Sequence, residues 1–132
     1  MNIKTLIISV AIITVFVGGF IVLTKGGSDS EKTTPPANNV SIIDKKQVIT
    51  INAKGGYSPR MTTAKADMPT VIKVMTNGTF DCSAALTIPS LKYRANLSPS
   101  GETDVEVPPQ KAGTTLQGLC AMGMYNFSVK FN

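Results

Sequence analysis

Soft sulfur donors cluster near the end of this 132-residue chain, where residues 120–124 read CAMGM. The motif supplies one thiol and two thioethers at a spacing of two residues. The only other cysteine is Cys82, and the chain has no histidine. Two thiolates and two thioethers without an imidazole form a ligand set for Cu(I), because Cu(II), Ni(II) and most zinc sites include nitrogen or oxygen donors. The predicted metal ligands are Cys82, Cys120, Met122 and Met124.

Two other interpretations of these sulfur residues stay open. Free cysteine is among the most buried residue types and often only packs in the core, and methionine fills core gaps. A Cys82–Cys120 disulfide is the stronger competitor, particularly if the domain lies outside the cell. The same proximity of two cysteines that builds a bis-thiolate metal site also permits a bridge between them.

The sulfur residues and the apolar residues of the last predicted strand occupy positions of opposite parity, so the alternation of inward and outward side chains must shift by one position between them. Residues 125–131 carry apolar side chains at the odd positions, whereas the three sulfurs of residues 120–124 occupy even positions. A continuous strand would put the sulfurs on the face opposite the apolar residues. We therefore predict a loop over residues 120–124, for which Gly123 supplies backbone freedom. Cys82 has the parity of the apolar positions in residues 84–88, which predicts an inward-facing thiol at the start of a strand.

Period-two alternation recurs after residue 45 and predicts several short strands. The clearest stretches are residues 47–52, 70–76, 84–88, 105–107 and 125–131, and Gly and Pro residues separate them. Several short strands at this spacing are typical of an antiparallel sandwich or barrel. We predict an all-β domain over residues 46–132, without helical periodicity. A domain this small has a marginal core, to which a bound metal would add stability.

The N-terminal part of the chain predicts a membrane anchor. Residues 5–24 carry no charge and would form a transmembrane helix roughly 30 Å long, which matches the hydrocarbon core of a bilayer. A cleaved signal peptide is the alternative, but no A-x-A-like site follows the apolar run. We assign residues 1–25 to a single-pass anchor. Residues 26–45 are rich in Gly, Ser, Thr, Asn and Pro, which predicts a flexible linker.

Charge and composition restrict the location and the partners. The net charge is +5, and without Lys4 and Lys25, which flank the apolar run, 11 basic and 8 acidic residues leave +3. This excess is too small to predict nucleic-acid binding. The sequence offers no paired carboxylates and no nucleophile–base pair, so we expect neither enzymatic activity nor a small-molecule substrate. The flanking lysines and the thiols favour a cell-membrane protein whose domain lies on the cytoplasmic face.

Several motifs resemble those of a cupredoxin domain. They are Tyr57-Ser58-Pro59, Asn77-Gly78, Ile88-Pro89-Ser90-Leu91, Lys111-Ala112-Gly113-Thr114 and the two cysteine segments. Blue-copper cupredoxins use two His, one Cys and a weak axial Met. By this resemblance Cys82 stands at the position of the first His, and Cys-x-Met-x-Met replaces the usual Cys-x-x-His loop. The resemblance implies a Greek-key sandwich or barrel, but without His neither a blue-copper nor a purple dicopper site can form.

The whole chain resembles the CupA-type membrane-anchored Cu(I) chaperones of Gram-positive copper-resistance systems, in which one span, a linker and a cupredoxin domain accompany this sulfur set. The resemblance implies two Cu(I) ions per domain. Cys82 and Cys120 would hold the tighter ion, and Cys120 would bridge to a second ion completed by Met122 and Met124. The resemblance also implies a copper-exporting P-type ATPase as the partner, and a role in copper resistance and metal homeostasis.

Two alternative functions stay open. One is an extracytoplasmic β-sandwich that is stapled by a Cys82–Cys120 disulfide and serves adhesion or assembly. The other is an extracytoplasmic copper donor for oxidase assembly, which shares the site chemistry and differs in membrane topology and partner.

Overall fold

The computed structural model describes residues 38–132, where the regular structure consists of strands and two 3-10 turns, Cys82–Ala84 and Pro89–Leu91. In chain order the strands are β1 (Val40–Ile43), β2 (Lys46–Ala53), β3 (Tyr57–Ser58), β4 (Met61–Ala64), β5 (Thr70–Asn77), β6 (Ala85–Ile88), β7 (Tyr93–Asn96), β8 (Ser100–Val107), β9 (Thr115–Cys120) and β10 (Asn126–Phe131). The predicted membrane anchor and most of the predicted linker lie outside the described residues. Within residues 38–132, no helix has the length and apolar character needed to cross a membrane.

Two five-stranded sheets enclose one core, which confirms the predicted all-β sandwich. The first sheet has the order β1-β2-β5-β8, with β3 also paired to β2, and the second has the order β4-β10-β9-β6-β7. The expected antiparallel pairing holds for most neighbours, but β2 pairs with β5 in parallel and β4 pairs with β10 in parallel. The reason is the chain path: between β2 and β5 the chain crosses to the other sheet as β4, and β5 returns in the direction of β2.

The inner faces of both sheets are apolar and supply one hydrophobic core. Alternate side chains of a strand point to the same face, and burial therefore alternates along β2 and β10. The fully or almost fully buried residues are Ile49, Ile51, Ile72, Val74, Val105 and Val107 in the first sheet, and Leu86, Ile88, Leu116, Cys120, Phe127, Val129 and Phe131 in the second. Complete burial of a Val, Leu, Ile or Phe side chain contributes about 1.5–3 kcal/mol. This packing fixes the ends of the strands, where the predicted ligands lie.

The first strand, β1, lies inside the range that the sequence assigned to the linker, so the ordered domain begins before residue 46. Backbone pairing with β2 holds this strand rather than burial, because three of its four residues are exposed. Asn39, just before it, adds a hydrogen bond from its side-chain Nδ2 to the carbonyl of Thr50 at 3.0 Å. An exposed edge strand needs no alternation of apolar residues, and the sequence pattern therefore gives no signal of it.

Gly118 on β9 stands opposite Phe127 on β10, and the buried phenyl ring occupies the place of a Cβ on residue 118. We expect Gly118→Ala to lower the free energy of unfolding by about 1–3 kcal/mol, because the added methyl group forces the ring or the backbone to shift. Urea denaturation measures the change. Thr115→Ala, at an exposed position of the same strand, is the control and should stay within about 0.5 kcal/mol of wild type. Equal stability of the two variants would contradict this packing.

Candidate metal centre

Cys120 is the last residue of β9 and is fully buried. The strand is paired on both sides at this point. Cys120 stands opposite Leu86 of β6, and its N–H donates to the carbonyl of Tyr125 at 3.0 Å. The N–H of Ala121 donates to the carbonyl of Ala85 at 2.8 Å. These bonds fix the backbone of Cys120 and give its sulfur a defined position at one end of the sandwich.

Cys82 does not begin a strand as expected, because it opens the turn Cys82–Ala84 and β6 follows at Ala85. Its side chain is half-buried and packs against the core. The structure joins Cys82 and Cys120 in a disulfide, with their Cα atoms 5.7 Å apart and a sequence separation of 38 residues. Within the described part of the chain no cysteine is free. The fold thus brings together two of the four predicted ligands from distant segments.

Met122 and Met124 lie in residues 121–125, the connection between β9 and β10, and these two residues are 76% and 63% exposed. The connection turns tightly, since the N–H of Gly123 donates to the carbonyl of Cys120 at 2.8 Å. Gly123 has a φ of +72°, a conformation that favours glycine. Buried positions change from even in β9 to odd in β10, which confirms the predicted change of phase. The loop starts one residue later than predicted because Cys120 still belongs to the strand.

The predicted ligands at this end of the sandwich all offer sulfur. Among residues 38–132, no three His, Cys, Asp or Glu side chains come together as a possible metal site, and the sequence contains no His. When reduced, Cys82 and Cys120 present two thiolates, and the adjoining loop presents two thioethers. This donor set fits a soft monovalent ion such as Cu(I) and does not fit metals that prefer nitrogen or oxygen ligands.

Asp81 and Ser83 flank Cys82 and bind its turn to the connection between β2 and β3, an arrangement that the sequence analysis missed. The Asp81 carboxylate accepts the N–H groups of Ser83 and Gly55, each at 2.8 Å, and a short hydrogen bond from Ser83 Oγ. The bonds from the Ser83 hydroxyl, the Ser83 N–H and the Gly55 N–H, in that order, lower the pKa of Asp81 to about 2. The sequence Asp-x-Ser was a usable signal, because both residue types often bond nearby backbone N–H groups.

Tyr57 connects this hydrogen-bond network to the core. Its hydroxyl donates to the carbonyl of Ser83 at 3.0 Å, and its ring packs edge-on against Phe127 with the ring centroids 5.2 Å apart. Tyr57 as a whole residue is only 4% exposed. Burial, and after it the negative charge of Asp81, raise the pKa of Tyr57 to about 12. The turn that carries Cys82 is therefore fixed through Ser83 to a buried aromatic pair.

An open groove of about 410 Å³ lies beside the methionine loop. Its lining includes Met124, Tyr125, Lys54 and Arg60, and contains no carboxylate. Tyr125 lies over Gly56, where an added Cβ would stand 3.5 Å from the ring. Met124 is accordingly reachable from solvent next to two cationic side chains.

The family model of the cupredoxin-like domain matches residues 15–131. The chain therefore belongs to the cupredoxin-like domain family, and the fold predicted from the sequence motifs is confirmed. No curated protein gives a significant match to the chain.

Two solved structures of copper-binding proteins are similar to this chain. One is the metal-binding domain of the Cu(I)-exporting P-type ATPase CopA of Streptococcus pneumoniae D39, determined with Cu(I). It is 20% identical, with a TM-score of 0.62, and the match covers 70% of this chain and 92% of that one. The other is a copper-binding protein in its apo form in solution, which is 24% identical with a TM-score of 0.64, over 70% of this chain and 94% of that one. At these identities the similarity shows a shared fold.

Tyr57 gives a pH dependence that can be measured. Its pKa is raised from 10.0 to about 12 in the folded protein, so the folded state favours the neutral phenol. The resulting stabilisation is present below pH 10 and is lost as the pH rises through about 12. We expect a phenolate absorbance step near pH 12 that Tyr57→Phe removes and the control Tyr93→Phe retains. Persistence of this step in Tyr57→Phe would contradict the assignment.

Proposed function

We propose that this protein is a membrane-anchored Cu(I) chaperone and buffer that acts in copper resistance and passes its ion to a copper-exporting P-type ATPase without a catalytic step. One observation carries the proposal. Two cysteines from distant segments meet at one end of a cupredoxin sandwich, and a loop with two exposed methionines follows directly after the second of them. The cargo follows from the ligand set, because soft sulfur donors select Cu(I).

The tighter ion would be bound by the two cysteines in their reduced state. With the Cα atoms 5.7 Å apart, both thiolates reach the same point in space. Cys120 is fully buried and Cys82 half-buried, so that solvent has little access to an ion held between them. Two negative ligands on one monovalent ion bind it strongly, and this pair would act as the buffer.

The second ion would be shared between Cys120 and the two methionines of the loop. Thioethers are neutral and bind Cu(I) more weakly than thiolates, and the exposed side chains of Met122 and Met124 leave an ion open to incoming ligands. An acceptor that supplies its own sulfurs can therefore remove this ion by ligand exchange. The loop is the proposed transfer site.

The proposed acceptor is supported by the likeness to the metal-binding domain of a Cu(I)-exporting ATPase, a domain of the same fold. If the acceptor also binds Cu(I) through sulfur, transfer between the two ligand sets involves only a small change in free energy and is therefore reversible. The apolar stretch of residues 5–24, which lies outside the described residues, would tether the donor to the membrane that contains the pump. Tethering raises the effective concentration of the donor without a new contact.

Titration with Cu(I) against a competing chelator, under anaerobic reducing conditions, tests the two-ion arrangement. We expect wild type to retain two ions. The double variant Met122→Ala/Met124→Ala should retain one, because its two thiolates are intact. Cys120→Ser should lose both, since this residue is the ligand common to the two ions.

The control for the methionine variants is Met61→Ala, because Met61 is 71% exposed on β4, which is not part of the predicted ligand set. It should retain two ions. If the double methionine variant still retained two ions, the loop would not be a part of the metal site. Equal Cu(I) retention by a protein with both cysteines replaced by serine would refute the function altogether.

The disulfide itself favours a second candidate function. A β-sandwich stapled by Cys82–Cys120 outside the cytoplasm would serve adhesion or assembly, and it would need no metal. An extracytoplasmic copper donor for oxidase assembly differs from the first proposal in topology and partner, but it uses the same four sulfurs. The compartment of the domain separates these functions, because reducing compartments keep thiols free.

Thiol counting on the full chain, trapped with an alkylating reagent in intact cells, distinguishes the compartments. A cytoplasmic domain should yield two alkylated thiols in a chain that has two cysteines. Complete protection from alkylation, reversed by a reductant, would instead support the stapled module outside the cell.

A further inference from the structure

We infer that Asp81 and Ser83 are positioning residues of the Cu(I) site: they hold the turn that carries Cys82 so that its sulfur faces Cys120. This inference rests on the proposed function and adds residues that touch no ion. In residues 81–83, the side chain of Cys82 would bind the metal, and Asp81 and Ser83 would fix the direction in which that side chain points.

The two cysteines are held by different means. Cys120 is the last residue of a strand that is paired on both sides. Cys82 lies outside any strand, in a turn of three residues that ends where β6 begins. Strand pairing therefore fixes Cys120 and leaves Cys82 to be fixed by side-chain hydrogen bonds.

Those hydrogen bonds come from the residues on either side of Cys82. The Asp81 carboxylate accepts the Ser83 N–H at 2.8 Å, which closes the turn across Cys82. It also accepts the Gly55 N–H at 2.8 Å, and Ser83 Oγ accepts the Gly56 N–H at 2.8 Å. Two adjacent N–H groups of the β2–β3 connection thus hold the turn from outside.

Ser83 is anchored from the core side as well. It is fully buried, and its carbonyl accepts the hydroxyl of Tyr57, whose ring packs against Phe127. Both backbone and side chain of Ser83 are therefore held, directly after the residue that supplies the ligand. Movement of the Cys82 backbone away from Cys120 would require several of these bonds to break together.

A fixed pair of thiolates binds Cu(I) more tightly than a mobile pair because less conformational freedom is lost on binding. The same argument applies to the disulfide, whose formation also requires the two sulfurs to face each other. Loss of the Asp81 hydrogen bonds should therefore lower both the affinity for Cu(I) and the equilibrium constant for disulfide formation. Removal of a residue that orients a metal ligand typically lowers metal affinity by about 10–100-fold.

The experiment compares Asp81→Ala and Asp81→Asn with wild type in the full chain. One measurement is the Cu(I) dissociation constant, by competition with a chelator. The other is the equilibrium with glutathione disulfide, in which the two protein thiols form one disulfide bond while one glutathione disulfide is reduced to two glutathione thiols. We expect Asp81→Ala to weaken Cu(I) binding and disulfide formation about tenfold or more, and Asp81→Asn to recover part of the loss, because its Oδ1 still accepts the Ser83 N–H but its Nδ2 cannot accept the Gly55 N–H.

The matched control is Gln47→Ala. Like Asp81, Gln47 joins two segments through its side chain, donating to the Lys65 carbonyl at 3.2 Å and accepting the Lys65 N–H at 2.8 Å, although Gln47 is buried and Asp81 is exposed. It stands near the first residue of β2, whereas the β2–β3 connection that holds the Cys82 turn follows the last residue of that strand. Gln47→Ala should be less stable than wild type in urea. Its Cu(I) dissociation constant and its equilibrium constant with glutathione disulfide should equal those of wild type.

Two results would overturn the inference: unchanged constants in Asp81→Ala, or equal losses in Gln47→Ala. If Asp81→Ala does not fold, Ser83→Ala replaces it and removes the acceptor of the Gly56 N–H. Absence of Cu(I) binding by wild type would refute the proposed function alone, because the glutathione measurement tests the positioning of Cys82 without metal.

Discussion

The pairing of β9 on both of its edges is the constraint on which the candidate site depends. It holds Cys120 in the core at the last position of the ladder, opposite β6 and next to the beginning of β10. β10 returns antiparallel to β9, so the chain turns in residues 121–125, and the change from even to odd buried positions accompanies this turn. Met122 and Met124 lie in the turn and are exposed, whereas Cys120 still lies in the ladder and is buried.

The contact between Cys82 and Cys120 admits two mutually exclusive states. As a disulfide it closes a segment of 38 residues, which contributes about 4 kcal/mol in the chain-entropy account. As a dithiol it offers two soft ligands, and an ion bound between them joins the same two segments. Either state adds stability to a domain with a small core. The redox conditions around the domain therefore decide whether this position is a structural bridge or the proposed metal site.

The site combines a rigid part with an accessible part. The rigid part consists of Cys120 in its ladder and of the turn that Asp81 and Ser83 hold against the β2–β3 connection. The accessible part is the methionine loop, which adjoins the open groove lined by Lys54 and Arg60. Tight storage of an ion needs the first property, and its transfer needs the second. Their adjacency at one end of the sandwich is what makes the proposed chaperone function physically coherent.

Sequence periodicity alone predicted the strands whose inward residues are large and apolar. It found β2, β5, β6, β8 and β10, together with the change of phase before the last strand. It missed β4 and β7, in which polar or small residues alternate, and β9, where Gly118 occupies a buried position. The edge strand β1 was assigned to the linker, because pairing rather than burial holds it.

The sequence by itself determined which donors the chain can offer to a metal, since the absence of His and the cluster of sulfur in residues 120–124 are known before any fold is known. Residue types and local spacing are sufficient for that conclusion. Only the tertiary structure decided that Cys82 and Cys120 meet, and that Asp81 and Ser83 bind the connection after β2. Contacts between residues far apart in the chain depend on strand order and on the parallel pairing of β2 with β5. No local pattern encodes them, because they result from the packing of the two sheets as a whole.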